Sequence, residues 1–127
     1  MNHFVSSWLP VLVWMAIIIA FSSVPSLDPH LGSEILDTVT RKIAHIGEYS
    51  ILIYLLVRAL RQEKLNLSAQ GILQVAFLVA LAFAISDEYH QLFVLGREGT
   101  FRDVSIDAVG ITLVPLWLTS ALARNKK

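Results

Sequence analysis

Four apolar segments, each long enough to cross a membrane as a helix, constrain the fold of this chain more than any other feature. A hydrocarbon core about 30 Å thick is crossed by about 20 helical residues. The 127 residues are 55% hydrophobic, above the roughly 45–50% of ordinary soluble domains. We therefore predict an all-α integral membrane protein in which residues 1–127 form a single domain, one compact bundle of four transmembrane helices. The predicted spans are residues 4–24, 41–61, 69–93 and 103–123.

The first apolar segment has an alternative interpretation as a cleavable signal peptide. Its N-terminal residues "MNH" contain no Lys or Arg, and its apolar stretch is longer than the roughly 7–15 residues of a typical signal-peptide core. We therefore interpret it as a retained helix. A loop containing Pro25, Pro29 and Gly32 follows it.

The distribution of basic residues predicts the orientation of the bundle. The loop between the second and third spans, together with the C-terminal tail, holds six of them, and the two opposite loops with their helix ends hold four. Because cytoplasmic loops carry an excess of Lys and Arg, we predict that both termini are cytoplasmic. The six are Arg58, Arg61, Lys64, Arg124, Lys126 and Lys127, and the four are Arg41, Lys42, Arg97 and Arg102.

Overall charge and cysteine content exclude several classes of function. The chain has no Cys, which excludes disulfide scaffolds and thiolate zinc sites. Its formal net charge is +0, which argues against binding nucleic acid through the phosphate backbone. The partner that the composition does indicate is the lipid bilayer.

Polar side chains interrupt the apolar pattern where three of the predicted helices meet the outer membrane face. On the second span they recur at spacings of three and four, which places them on one helix face. These residues are Arg41, Lys42, His45, Glu48 and Tyr49.

The third and fourth spans carry polar residues at the same end. On the third, small residues of the kind that let membrane helices approach closely lead into a polar cluster. On the fourth, Asp103, Asp107 and Gly110 share one face. The small residues are Ala76, Ala80 and Ala84, and the cluster is Asp87, Glu88, His90 and Gln91.

These polar groups have two interpretations. Ionisable groups near the membrane midplane cost at least about 2.5–3.5 kcal/mol each and face a partner or a wet cavity. They form either a salt-bridged plug or an outward-facing pocket, and we favour the pocket because a plug needs fewer groups. The candidate ligand-binding residues are Lys42, His45, Tyr49, Asp87, Glu88, Gln91, Arg97, Arg102, Asp103 and Asp107.

Three chemistries suit such a pocket. A divalent-ion site could use its His and carboxylate groups, although their spacing matches no metal signature and no cofactor is identified. Acid–base hydrolysis needs a carboxylate or imidazole beside a partner that shifts its proton affinity. Recognition of a phosphate- or sugar-bearing headgroup would use Arg97 and Arg102. The candidate catalytic residues are His45, Glu48, Asp87, Glu88 and His90.

Two motifs and the spacing between them resemble the VanZ-like family of bacterial membrane proteins. The motifs cover roughly residues 41–110 and read "RKIAHIGEYSILIYLL" and "SDEYHQLFVLGREGTFRDVSIDAVG". The resemblance implies a multi-pass protein of the bacterial cytoplasmic (inner) membrane that acts at the cell envelope. The family is named for low-level resistance to the glycopeptide antibiotic teicoplanin.

The resemblance and the pocket together support two functional hypotheses. In the first, the pocket recognises a lipid-linked cell-wall component or a lipoglycopeptide. In the second, the chain is an intramembrane hydrolase or transferase that acts on a lipid-linked substrate, with or without a metal ion. The sequence alone leaves these as alternatives.

Three contacts are also predicted. The third and fourth helices should pack together around the alanine stripe and Gly110. Arg97 or Arg102 should pair with a nearby carboxylate, because an uncompensated charge next to hydrocarbon is costly. His45 should face the acidic cluster and share a hydrogen bond or a ligand with one of its carboxylates.

Overall fold

A computed structural model describes residues 3–25, 34–63, 65–97 and 99–124, with side chains in residues 4–25, 39–63, 65–97 and 99–117. The described residues form four helices and no strand, which confirms the all-helical prediction. The helices are α1 (His3–Ser22), α2 (Glu34–Gln62), α3 (Ala69–Gln91) and α4 (Phe101–Arg124).

Within the described part of the chain, three helices are long and apolar enough to cross a membrane. Among the residues that the structure describes, these candidate spans are Phe4–Ser22, Val39–Gln62 and Ala69–Gln91. The second helix begins at Glu34, earlier than the predicted residue 41, because no Pro or Gly lies between the two positions to end it. The predicted loop residues Pro29 and Gly32, and the basic residues Lys64, Lys126 and Lys127, lie outside the described part of the chain.

The second helix makes the most extensive helix contact of the bundle, with α4, and it also contacts α1 and α3. Its inner face is apolar over more than two turns, and α3 contacts it. The three residues of the predicted alanine stripe on α3 are fully buried. Alanine leaves room for a close approach of neighbouring helices. The buried residues of α2 include Tyr49, Leu52, Ile53 and Leu56.

Polar contacts fix α1 against α2 at two levels. Near the start of α1, Ser7 Oγ donates to Gln62 Oε1 at 2.7 Å, and Trp8 Nε1 donates to Glu63 Oε1 at 2.8 Å. Two turns further along, Trp14 Nε1 donates to the main-chain oxygen of Glu48 at 2.9 Å. These contacts set the register of α1, so that its C-terminal end reaches the polar cluster on α3.

The α2 and α4 helices pack closely at Gly110. A Cβ atom on Gly110 would collide with the main-chain carbonyl of Ile46, and Ser50 Oγ donates to the Gly110 carbonyl at 3.1 Å. The third and fourth helices do contact each other. The prediction that Gly110 packs against α3 is nevertheless wrong, because the face it shares with Asp107 is turned toward α2.

Replacing Gly110 by alanine should therefore weaken the bundle. We expect Gly110→Ala to lower the free energy of unfolding by about 1–3 kcal/mol, because α4 must move away from α2 to admit the methyl group. Gly47→Ala is the matched control, since no heavy atom lies within 4 Å of its added Cβ, and alanine favours a helix. Reversible denaturant unfolding in detergent micelles measures both. Equal effects of the two substitutions would contradict the close α2–α4 contact.

Candidate functional site

The polar end of the bundle, defined as the end where α1 and α3 finish and α4 begins, contains a buried hydrogen-bond network around Asp87. Ser22 Oγ donates to Asp87 Oδ1 at 2.6 Å. Gln91 Nε2 donates to Oδ2 at 3.2 Å, and the Tyr49 hydroxyl lies 3.4 Å from the same oxygen. Asp87 is only 2% exposed, and both of its oxygens are used. Its carboxylate therefore joins α1, α2 and α3.

Glu88, the next residue, joins α3 to the start of α4. It accepts from Gln91 Nε2 at 3.3 Å and from the main-chain N–H of Thr100 at 3.2 Å. Thr100 immediately precedes α4, and its Oγ1 accepts from the Asp103 N–H at 3.3 Å. In a capping box, a glutamate in the first turn of the helix accepts from the main-chain N–H of the residue that precedes the helix. Here Glu88 of α3 does this for α4.

The chain can approach Glu88 this closely because Gly99 has no side chain. A Cβ atom there would collide with the main-chain oxygen of Glu88. The pattern "GTFRD", in which a glycine precedes a threonine three residues before an aspartate, is the sequence signal of this helix start. Sequence reasoning did not select Gly99 or Thr100.

The third buried carboxylate belongs to Asp107 and faces His45. His45 Nδ1 lies 3.0 Å from Asp107 Oδ1, which confirms that His45 shares a hydrogen bond with one of the predicted carboxylates. Asp107 is fully buried. Its second oxygen, Oδ2, has no hydrogen-bond partner among the described residues. This pair connects α2 to α4 and fixes the orientation of the imidazole ring.

A cavity of about 410 Å³ opens between α2, α3, α4 and the connection before α4. Among the described residues, four basic side chains and three acidic ones line it, and the lining includes eight of the ten predicted ligand-binding residues. Arg41, Gly96, Thr100 and Ile106 complete the lining. The predicted residues that line it are Lys42, His45, Glu88, Gln91, Arg97, Arg102, Asp103 and Asp107.

Four candidate residues do not line this cavity. Tyr49 and Asp87 lie beneath it in the buried hydrogen-bond network. His90 Nε2 lies 2.9 Å from Ser23 Oγ at an exposed position, and Glu48 contacts Trp14 through its main-chain oxygen. The structure thus separates these four from the group that surrounds the cavity.

The arginines of the cavity behave differently from the prediction. Arg97 donates from Nε to the Val24 carbonyl at 3.1 Å and from Nη2 to the Phe21 carbonyl at 3.0 Å. It therefore caps the C-terminal end of α1. The predicted ion pair is wrong, because within the described residues neither Arg97 nor Arg102 pairs with Asp87, Glu88, Asp103 or Asp107.

The carboxylates of Asp87 and Glu88 instead accept from uncharged donors.

Burial lowers the pKa of the Arg97 guanidinium, and the nearby positive charge of Arg41 lowers it further. The two cations therefore lie close enough to repel each other.

Three side chains of the cavity could together hold a metal ion. Among the described residues, His45, Glu88 and Asp107 each offer one ligand atom, and these atoms all lie within 4.8 Å of one another. The arrangement can also support acid–base chemistry, because a carboxylate that orients a histidine is a recurring feature of catalytic sites.

Comparison with known proteins gives one match. The model of a family described as VanZ/LLP1 matches residues 7–120. No curated protein and no solved structure is significantly similar to the chain. The matched region includes every residue that lines the cavity.

Proposed function

The chain belongs to the VanZ/LLP1 family, as its motifs indicated, and from this premise we propose that it recognises a lipid-linked cell-wall component or a lipoglycopeptide. The family and the apolar helices make it an envelope protein of the membrane. The observation that carries the proposal is the cavity, where basic and acidic side chains surround one space at one end of an apolar bundle. Its volume of about 410 Å³ is in the range of small-molecule sites.

The charge of the cavity suits an anionic, hydroxyl-rich headgroup. Arginine binds phosphate and carboxylate oxygens through parallel N–H donors, and Arg41, Arg97 and Arg102 all face the cavity. The acidic side chains Asp103 and Asp107 can accept from sugar hydroxyls or peptide N–H groups. A lipid-linked wall precursor combines a phosphate with such groups, and a lipoglycopeptide combines carboxylate, sugar and peptide groups.

The exposed apolar surface of the helices supports a ligand that is held by the membrane. Large apolar side chains such as Phe21, Leu78 and Leu92 face outward from the bundle. Arg102 is exposed while it lines the cavity, so the cavity has an open mouth. A lipid tail can therefore stay in the bilayer while its headgroup enters.

The proposed topology places this mouth at the outer leaflet. We propose that α4 is a fourth span, that both termini are cytoplasmic and that the chain is a single domain of the bacterial cytoplasmic (inner) membrane. Six of the ten basic residues then lie on the cytoplasmic side. An outward cavity is where a wall precursor or teicoplanin would be met.

Reporter fusions test this topology. Green fluorescent protein fused after Lys127 should be fluorescent, and alkaline phosphatase fused at the same place should be inactive, because the first works only in the cytoplasm and the second only outside it. Fusions truncated after Leu95, in the connection between α3 and α4, serve as the matched control and should give the opposite result. Active phosphatase at Lys127 would contradict the outward cavity.

Binding measurements test the ligand. We expect Arg102→Gln to weaken binding of a polyprenyl diphosphate lipid or of teicoplanin at least about tenfold, because it removes a charge-assisted hydrogen bond. Arg61→Gln removes the same charge at the other end of α2 and should leave the affinity unchanged. Microscale thermophoresis of the purified protein in nanodiscs gives both constants. The absence of wild-type binding to either ligand, or equal effects of the two variants, would contradict the proposal.

The alternative function is an intramembrane hydrolase or transferase that acts on the same class of lipid, and the His45–Asp107 pair favours it. An imidazole oriented by a carboxylate is suited to take a proton from water. Release of phosphate from the bound diphosphate lipid in the same nanodiscs would support this alternative if His45→Asn abolished release and left binding intact. Binding without release would favour recognition alone.

A further inference from the structure

One buried carboxylate oxygen at the floor of the cavity has no hydrogen-bond donor among the described residues. Asp107 is fully buried, and its Oδ2 has no hydrogen-bond partner among the described residues. A buried carboxylate oxygen without a donor loses its hydration and receives nothing in exchange. The Asp87 carboxylate, by contrast, accepts hydrogen bonds on both oxygens.

The surroundings of Asp107 contain two further ligand groups. His45, Glu88 and Asp107 come from α2, α3 and α4 respectively, and their ligand atoms lie within 4.8 Å of one another. Ligand atoms about 2.0–2.2 Å from a tetrahedral zinc ion lie about 3.4 Å apart. Small side-chain movements would therefore bring the three groups to ligand distances.

We propose that His45, Glu88 and Asp107 together bind a divalent transition-metal ion at the floor of the cavity. One imidazole nitrogen and two carboxylate oxygens suit Zn²⁺ and Mn²⁺. The two carboxylates neutralise the charge of a divalent ion, and the Asp107 oxygen gains the partner that it lacks.

The neighbours of this cluster are arranged as metal-site neighbours usually are. Glu88 accepts hydrogen bonds from the Gln91 amide and from the Thr100 N–H, and such contacts orient a ligating carboxylate. Three protein ligands leave further coordination positions free. These positions would face the cavity lined by Arg97 and Arg102, where a phosphate oxygen could complete the coordination.

The metal site deepens the proposed function without depending on it. If an ion binds, its free position gives the cavity a second means of holding an anionic headgroup. Zinc binding by a protein that binds neither lipid nor teicoplanin would overturn only the proposed function, and lipid binding without zinc binding would overturn only this inference.

Zinc titration of the full-length protein tests the inference. The purified protein in detergent is stripped with a chelator, dialysed, and titrated with Zn²⁺ by calorimetry, with elemental analysis of the product. We expect one Zn²⁺ per chain and an affinity at least about tenfold weaker in Asp107→Asn. Glu63→Gln is the matched control, because Glu63 lies just after α2 at the opposite end of the bundle, where it contacts Trp8, and is outside the cluster. It should retain stoichiometric zinc.

The shift of the thermal unfolding temperature with Zn²⁺ gives a second measurement of zinc binding. Zn²⁺ should raise the unfolding temperature of the wild type and of Glu63→Gln and leave that of Asp107→Asn unchanged. If Asp107→Asn does not fold, Glu88→Gln replaces it with the same expectation. A wild type that binds no stoichiometric Zn²⁺, or equal zinc affinities in the cluster variant and in Glu63→Gln, would overturn the site and leave an ordinary His45–Asp107 ion pair.

Discussion

The burial of three carboxylates inside an apolar helix bundle is the constraint on which the rest of the structure depends. Asp87, Glu88 and Asp107 are at most 5% exposed, and such groups are tolerated only where donors or opposite charges replace the lost water. The donors to these carboxylates come from α1, α2, α3 and the connection before α4: Ser22, Tyr49, Gln91, Thr100 and His45. The acidic residues therefore fix how the helix ends meet.

The three carboxylates nevertheless differ in what they leave available. Asp87 is closed off, since both oxygens accept hydrogen bonds and it does not line the cavity. Asp107 faces the cavity with one oxygen unpartnered among the described residues. This contrast assigns Asp87 to the architecture and leaves Asp107 available to the ligand or ion that we propose for the cavity. Similar residues in one cluster thus have different roles because their hydrogen-bond environments differ.

Sequence reasoning predicted the helices and the face of each helix better than it predicted which neighbour each face meets. Apolar length located the helices, and helical spacing brought His45 to the acidic cluster. Spacing cannot tell which helix lies opposite a face, so Gly110 was assigned to α3 although it meets α2. The prediction that Arg97 pairs with a carboxylate was also wrong, because main-chain carbonyls at the end of α1 accept its hydrogen bonds instead.

The difference between Asp87 and Asp107 can be measured most directly as the free energy of unfolding of two asparagine variants in metal-free protein. Asp107→Asn retains the oxygen that accepts from His45 and places its amide where an unpartnered oxygen stood, so we expect a loss below about 1 kcal/mol. Asp87→Asn sets an amide N–H₂ against existing donors, so we expect a loss of about 1–3 kcal/mol. A loss in Asp107→Asn as large as that in Asp87→Asn would contradict the separation of architecture from ligand site.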